Sequence, residues 1–316
     1  AALTPGARLG NRFTLHGVVG RGGSATVWLA HDALRDHTVA LKVVHPHLAQ
    51  DPAVARRLRR EVEAATLLHG EAVLAPHDLH ALDGHLALSM PFHDGHTLAE
   101  HVARRGPMPL VQLEALGLRI AGALAEAHGT GVLHRDVTPT NIMLQDSGHD
   151  AVLTDFGLAQ LRATEGELAP ETAGTPTYMS PEQLFGRWRD AGPWTDLYAA
   201  GGIAWALCTG AAPFADHLEI GDLLRAHLLE DPPALEPKRP VAPGFERWLC
   251  RMLARDHSQR YRCAADALAG LRALPTAFTP APLDLGDVSV PAPRAPGPRS
   301  GTGSLGVFDR TSGAMD

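Results

Sequence analysis

The chain has 316 residues, 45% of them hydrophobic and 20% charged, which is enough apolar content for a sizeable core and excludes a globally disordered chain. Its formal net charge of -7 argues against a nucleic-acid partner, which would demand a basic footprint. Its 3 cysteines, Cys208, Cys250 and Cys263, are odd in number and form no CxxC pair, so no disulfide framework is expected and a reducing, cytoplasmic compartment is. The 18 histidines show no HExxH or similar ligand spacing. Only Lys42 and Lys238 are lysine among 28 Lys and Arg residues, so a retained lysine invites a chemical reason.

In chain order, residues 1–10 read as a short N-terminal arm. From Phe13 to His45 the runs FTLHGVVG, ATVWLAHD and HTVALKVV, separated by turn residues, predict an antiparallel sheet. DPAVARRLRREVEAATLLHG follows as a helix, with Asp51 as N-cap, Pro52 at the first helical position and Val54, Leu58, Val62 and Ala65 as its apolar face. Short strands around Ala72–Leu79 and Leu86–Pro91 complete a small α+β lobe. From about Thr97 the pattern turns helical. The uncharged run Leu197–Ala215 approaches bilayer-spanning length, but its Gly201-Gly202 pair and Pro213 predict a buried core helix instead. No apolar leader opens the chain, so no signal peptide is expected. Residues 276–316, dense in Pro, Gly and small side chains, read as a disordered tail.

Several segments carry chemistry. VVGRGGSATVWLA sets Val19, Gly20, Arg21, Gly22, Gly23, Ser24, Ala25 and Val27 on a hairpin whose backbone amides can lie over phosphates. Ala25 fills a third glycine position and is small enough for close approach. A glycine hairpin between strands differs from a dinucleotide fingerprint, whose last glycine opens a helix, and taken alone it also reads as a plain turn. VALK ends the next strand on Lys42, suited to two phosphate oxygens if a carboxylate orients it; Glu61 is the natural partner and Glu63 the competing one. LHRDVTPTNIML offers Asp136, able to accept a hydroxyl proton, and Asn141, able to ligate a metal. LTDFGLA adds Asp155, and one carboxylate with one amide oxygen suits magnesium.

In this order and spacing the segments resemble the protein kinase superfamily, specifically the bacterial eukaryotic-like (Hanks-type) serine/threonine kinases, over residues 11–275. The resemblance implies an α+β, bilobal protein kinase fold, with a small antiparallel-sheet N-lobe bearing one main helix (about 11–92) and a larger, mainly helical C-lobe (about 93–275). It implies ATP with magnesium, or manganese in its place, as donor, protein Ser/Thr hydroxyls as acceptors, no membrane span, and a homodimer as the arrangement for trans-autophosphorylation. Val27, Ala40 and Met143 would sandwich adenine, with Met90 behind it and Pro91-Phe92-His93 as the hinge, Pro91 offering its carbonyl and His93 the amide. Glu182 would pair with Arg260, and Asp196 would open the buried helix that anchors the catalytic loop. His134, Phe156 and Gly157 complete this structural set.

GTPTYMSPEQ looks like the end of an activation segment, and its Gly174-Thr175 favours Ser/Thr acceptors, with Thr175 placed beside Asp136. Arg135 suggests control by an anionic group in that segment, with Thr164 and Thr172 as candidate phosphosites and Glu171 as a built-in charge. The one serious departure is Thr138, where such kinases carry lysine. Two readings follow: an active, slow kinase, or a nucleotide-binding pseudokinase acting as a scaffold. A small-molecule kinase is disfavoured by the segment from Thr175 to Glu182.

Overall fold

Alternating apolar residues produce the first sheet. β2 (Phe13–Arg21), β3 (Ala25–Asp32) and β4 (His37–Val44) bury Phe13, Leu15, Trp28, Ala30, Val39 and Leu41 on one side, as period-two patterning requires. The computed structural model describes residues 3–106, 110–145, 151–156, 176–217 and 219–275. Gly157, Thr164, Glu171, Thr172, Thr175 and the predicted tail lie outside the described residues. By compactness the chain divides into Ala1–Gly286 and Asp287–Asp316, and all that follows concerns the first unit.

Part of the stretch read as an arm, residues 1–10, joins the sheet. Arg8–Leu9 form β1, pairing antiparallel with β2, and Gly6 N–H donates to Leu15 O at 2.7 Å while Leu15 N–H donates to Ala7 O at 2.9 Å. Leu9 is 1% exposed because it fills the space beside Phe13 and Leu15, a packing demand invisible in a short, polar-flanked run.

With β6 (Asp78–Leu82) and β7 (His85–Pro91) the sheet runs β1-β2-β3-β4-β7-β6. The predicted strand at 72–79 is split. Val73–Leu74 (β5) joins a second sheet of order β5-β10-β9-β8, built with β8 (Gly95–Thr97), β9 (Ile142–Gln145) and β10 (Ala151–Thr154). Pro76 lies between the two pieces and cannot donate to a ladder.

A short α1 (Pro46–Ala49) precedes α2 (Pro52–Ala65), where the Asp51 side chain accepts from Ala53 N–H at 2.7 Å as the predicted cap. Leu58 and Val62 of α2 pack against Ala40, Leu88 and Met90, which fixes the helix to the sheet beside Lys42. α3 (Leu98–Arg105) starts from a reciprocal Thr97/Glu100 capping box. α4 (Leu110–Gly129), α5 (Pro181–Leu184), α6 (Pro193–Thr209), α7 (Ile220–Leu229), α8 (Phe245–Met252) and α9 (Ala264–Arg272) make the second lobe. α6 is buried on nearly all sides, which explains why Asp196 is its one charged residue. Gly201 lets it approach α8 until an added Cβ would stand 2.9 Å from the Met252 side chain. Among the described residues, no helix is long and apolar enough to cross a membrane.

At the base of this lobe the predicted ion pair is present. Arg260 donates to both oxygens of Glu182, at 2.9 and 3.0 Å, and to the carbonyls of Ala254, Trp194 and Arg255. Thr195 adds a hydroxyl donor to Glu182 at 2.8 Å. Burial opposes the Glu182 charge, yet Arg260 outweighs it and holds the carboxyl below its ordinary value. Removing the guanidinium leaves a buried carboxylate uncompensated, so Arg260→Leu is expected to cost about 3–5 kcal/mol in urea unfolding, and the Glu182→Leu/Arg260→Leu double variant clearly less. Because the folded-state value is lowered, the pair's contribution is present above the ordinary value of 4.5 and is lost as pH falls through the lowered one. Wild type and Arg260→Leu should therefore converge in acid.

Candidate active site

The loop after α4 is shaped by one carboxylate. Asp196, 1% exposed in the first turn of α6, accepts from His134 N–H at 2.9 Å, Arg135 N–H at 2.6 Å and His128 Nε2 at 2.8 Å. Burial alone would push its pKa up, but the His128 hydrogen bond and charge bring it below the usual carboxylate range. Arg135 has φ 62°, a left-handed conformation costing about 1–3 kcal/mol in a non-glycine residue. It is held from both sides, since its carbonyl also accepts from Gln183 Nε2 at 2.7 Å. His134 Nε2 donates to Thr154 O at 2.7 Å, which leaves Nδ1 to accept from Asp136 N–H at 3.2 Å. Its ring meets the buried Phe156 edge-on at 4.6 Å.

These restraints place the chemical groups. Asn141 Nδ2 donates to Asp136 Oδ2 at 3.0 Å and to Asp136 O at 2.8 Å. The amide thus orients the carboxylate, and with both of its protons so used its own oxygen is the end suited to a cation. Asp155, also left-handed at φ 68°, receives the Lys42 ammonium at 2.8 Å. The anticipated Lys42–Glu61 pair is not the arrangement found: Glu61 Oε1 lies 3.8 Å from Arg135 Nη1. The left-handed turn at Asp155 brings its carboxylate to Lys42, while Arg135 offers Glu61 a competing cation. Glu63, the other candidate, is exposed to solvent.

The glycine hairpin closes through Gly22 N–H to Ala25 O at 2.9 Å, and β4 places Lys42 opposite Val27 of β3. Gly20, Gly22 and Gly23 all have negative φ, and an added Cβ would meet nothing closer than 3.7 Å at any of them. The protein's own packing therefore does not require glycine there, which leaves approach of an outside group as the reason. Ser24 and Ala25 are buried, whereas Val19 is exposed. Val27, Ala40 and Met90 share one apolar cluster, with Ala40 directly opposite Met90. Met143 stands on β9, opposite Thr97. Pro91 ends β7 opposite Val39, beyond the β6 pairing that stops at Ser89, so its missing N–H disturbs no β6 contact. His93 follows it out of the sheet.

A protein kinase domain model matches residues 13–269. The chain belongs to the protein kinase family. It is 34% identical to the serine/threonine-protein kinase PknL of Mycobacterium tuberculosis over 91% of this chain and 70% of that protein. It is also 34% identical to PrkC of Bacillus subtilis, over 86% of this chain but only 41% of the relative. Among solved structures, the Mycobacterium tuberculosis PknI kinase domain matches with a TM-score of 0.69 and 29% identity, covering 86% of this chain and 98% of that one. These similarities put the kinase in the bacterial Hanks-type serine/threonine branch.

Within that family frame Thr138 stands out. It is 6% exposed, and its Oγ1 lies 2.8 Å from Thr140 Oγ1 in a neutral pair where a lysine is usual. Asp136, Thr138, Tyr178, Met179 and Gln183 line one crevice, so the catalytic loop and the segment before α5 share a surface. A larger cavity between α4, α6, α8 and α9 is lined by apolar residues and belongs to the helical core. Three contributors escaped the sequence: His128, Gln183 and Thr195. The last two lie beside motif residues, and only their proximity to Glu182 and Asp196 could have drawn notice. Asp196→Ala should lower stability by roughly 3 kcal/mol or more, since it strips a charged acceptor from three buried donors. Amide exchange at His134 and Arg135 should speed up in the same variant, as read by hydrogen–deuterium exchange.

Proposed function

We propose that this kinase moves the γ-phosphoryl group of ATP, with magnesium, to Ser or Thr hydroxyls of proteins, its own chain included. The observation that carries the reading is a pair of direct contacts, Asn141 on Asp136 and Lys42 on Asp155, with His134 bonded to both Thr154 O and Asp136 N–H between them. Asp136 accepts the hydrogen bond of the incoming hydroxyl, orients its oxygen and takes its proton as the bond to phosphorus forms and that to the ADP oxygen breaks. Lys42 holds phosphate oxygens from below the hairpin Gly20–Val27, whose amides cover them from above. Val27, Ala40, Met90 and Met143 enclose the adenine, and the Pro91 carbonyl and His93 amide bond its edge.

The donor set fits a hard cation: one carboxylate at Asp155 and the Asn141 oxygen, with the remaining ligands from phosphate and water. Among the described residues no group of three or more His, Cys, Asp or Glu forms a denser metal site. Magnesium, when bound, neutralises phosphate charge, and manganese would serve alike. Binding phosphates gives Lys42 a new anionic partner and frees Asp155 for the cation. Glu61 then exchanges Arg135 for Lys42, and Arg135 becomes available to an anionic activation-segment residue, with Thr164, Thr172 and Glu171 as candidates. Ser/Thr acceptors are supported by the names of the relatives. The unbridged cysteines agree with a reducing, cytoplasmic setting.

The neutral Thr138–Thr140 pair favours a second reading, a nucleotide-binding scaffold. Incubation with labelled ATP and magnesium, beside Asp136→Asn, separates the two. Label on wild type and generic substrate but not on the variant is expected; ATP binding with no label on any protein would establish the scaffold instead. Thr138→Lys should raise kcat by roughly tenfold or more with little change in the KM for ATP, because it restores a donor to the transferred group.

A further inference from the structure

The residue that follows β4, His45, occupies the N-cap of α1 with φ -63° and ψ 144°, yet its side chain makes no capping hydrogen bond. Ser, Thr, Asp and Asn are the residues that satisfy such a position. The imidazole turns the other way, toward the glycine hairpin. His45 Nδ1 lies 2.8 Å from Gly23 O, and Nε2 lies 3.3 Å from Thr26 Oγ1. The His45 backbone N–H donates to Ser24 O at 2.9 Å. A carbonyl oxygen only accepts, so Nδ1 carries a proton; in the neutral ring Nε2 then accepts from the Thr26 hydroxyl. Both ring nitrogens are thereby committed to the hairpin.

We propose that His45 is a positioning residue for the nucleotide phosphates, a latch that ties the tip of the glycine hairpin to the strand carrying Lys42. The inference rests on the reading that this hairpin covers the phosphates of ATP. Gly22 and Gly23 have little side-chain packing to hold their shape, and glycine backbone loses more freedom on ordering than any other residue. Beyond the Arg21–Thr26 end of the β2–β3 ladder, the turn bond from Gly22 N–H to Ala25 O closes the tip. Contacts at Gly23, Ser24 and Thr26 restrain the loop before the ligand arrives, which lowers the ordering cost of binding. The latch acts on the phosphate end alone, because Ala40, Met90 and Pro91 lie on the other side of Lys42 along the β4–β7 ladder.

The test measures ATP and adenosine binding by calorimetry, together with steady-state phosphorylation kinetics, on the full chain. His45→Ala should raise both the Kd and the KM for ATP about five- to tenfold, the worth of one or two hydrogen bonds, while adenosine affinity stays within about twofold and kcat changes little. His45→Asn, whose side-chain amide nitrogen can stand where Nδ1 stands, should recover most of the loss, and Thr26→Val should show a smaller one. Unchanged ATP affinity in His45→Ala overturns the latch. So does an equal loss for ATP and adenosine, which would mark general damage, or a failure of Asn to restore binding at an unchanged melting temperature. A wild-type chain that binds no ATP would sink the nucleotide reading itself, and this inference with it.

Discussion

A carboxylate taken out of water is unfavourable by several kcal/mol unless donors surround it. Asp196 meets that condition with two backbone amides of the catalytic loop and the ring of His128. The same bonds that satisfy the charge define where His134 and Arg135 stand, and so where Asp136 points. α6 has few other polar groups, so the carboxylate acts as an isolated fixed point inside an apolar helix. From it the restraints spread outward: Gln183 clamps the Arg135 carbonyl, Glu182 next to it pairs with Arg260, and His134 reaches across to Thr154, the last residue of the strand before Asp155. Loop, activation-segment end and helical base are thereby one hydrogen-bonded body.

Above that body the charges are not locked. Lys42 pairs with Asp155 at 2.8 Å and Arg135 with Glu61 at 3.8 Å. The pairs are partly exposed and the Glu61–Arg135 contact is long, so neither is worth much alone. The fold thus sets a buried hydrogen-bonded network beneath two partly exposed ion pairs that reach α2 and β4.

Much of this was legible in the residues. The glycine hairpin, VALK, HRD and DFG are written in the sequence because each depends on local chemistry that few residue types supply, whereas the Arg260–Glu182 pair was implied only by the resemblance to the kinase family. α2 was readable from its cap and apolar face, and most of α6 from the uncharged run that opens at Leu197. What escaped depends on geometry between distant segments. Lys42 faces Asp155 and not Glu61 because of a left-handed turn that sequence does not announce. His128 looked like one of many histidines until α4 set it against α6. The strand predicted at 72–79 failed for a different reason: Pro76 separates two short strand pieces that join different sheets.

The pairing of Arg8–Leu9 with β2 bears on where the domain physically begins. The family match opens at residue 13, and a boundary drawn there would pass between Leu9 and the cluster it fills. A recombinant fragment cut at that point would bare the outer edge of β2, leaving unpaired amides and carbonyls next to an opened apolar pocket. Such an edge invites strand addition from another molecule. Residues 3–10, outside the family match, thus cover an edge and a pocket that the matched segment alone would leave open.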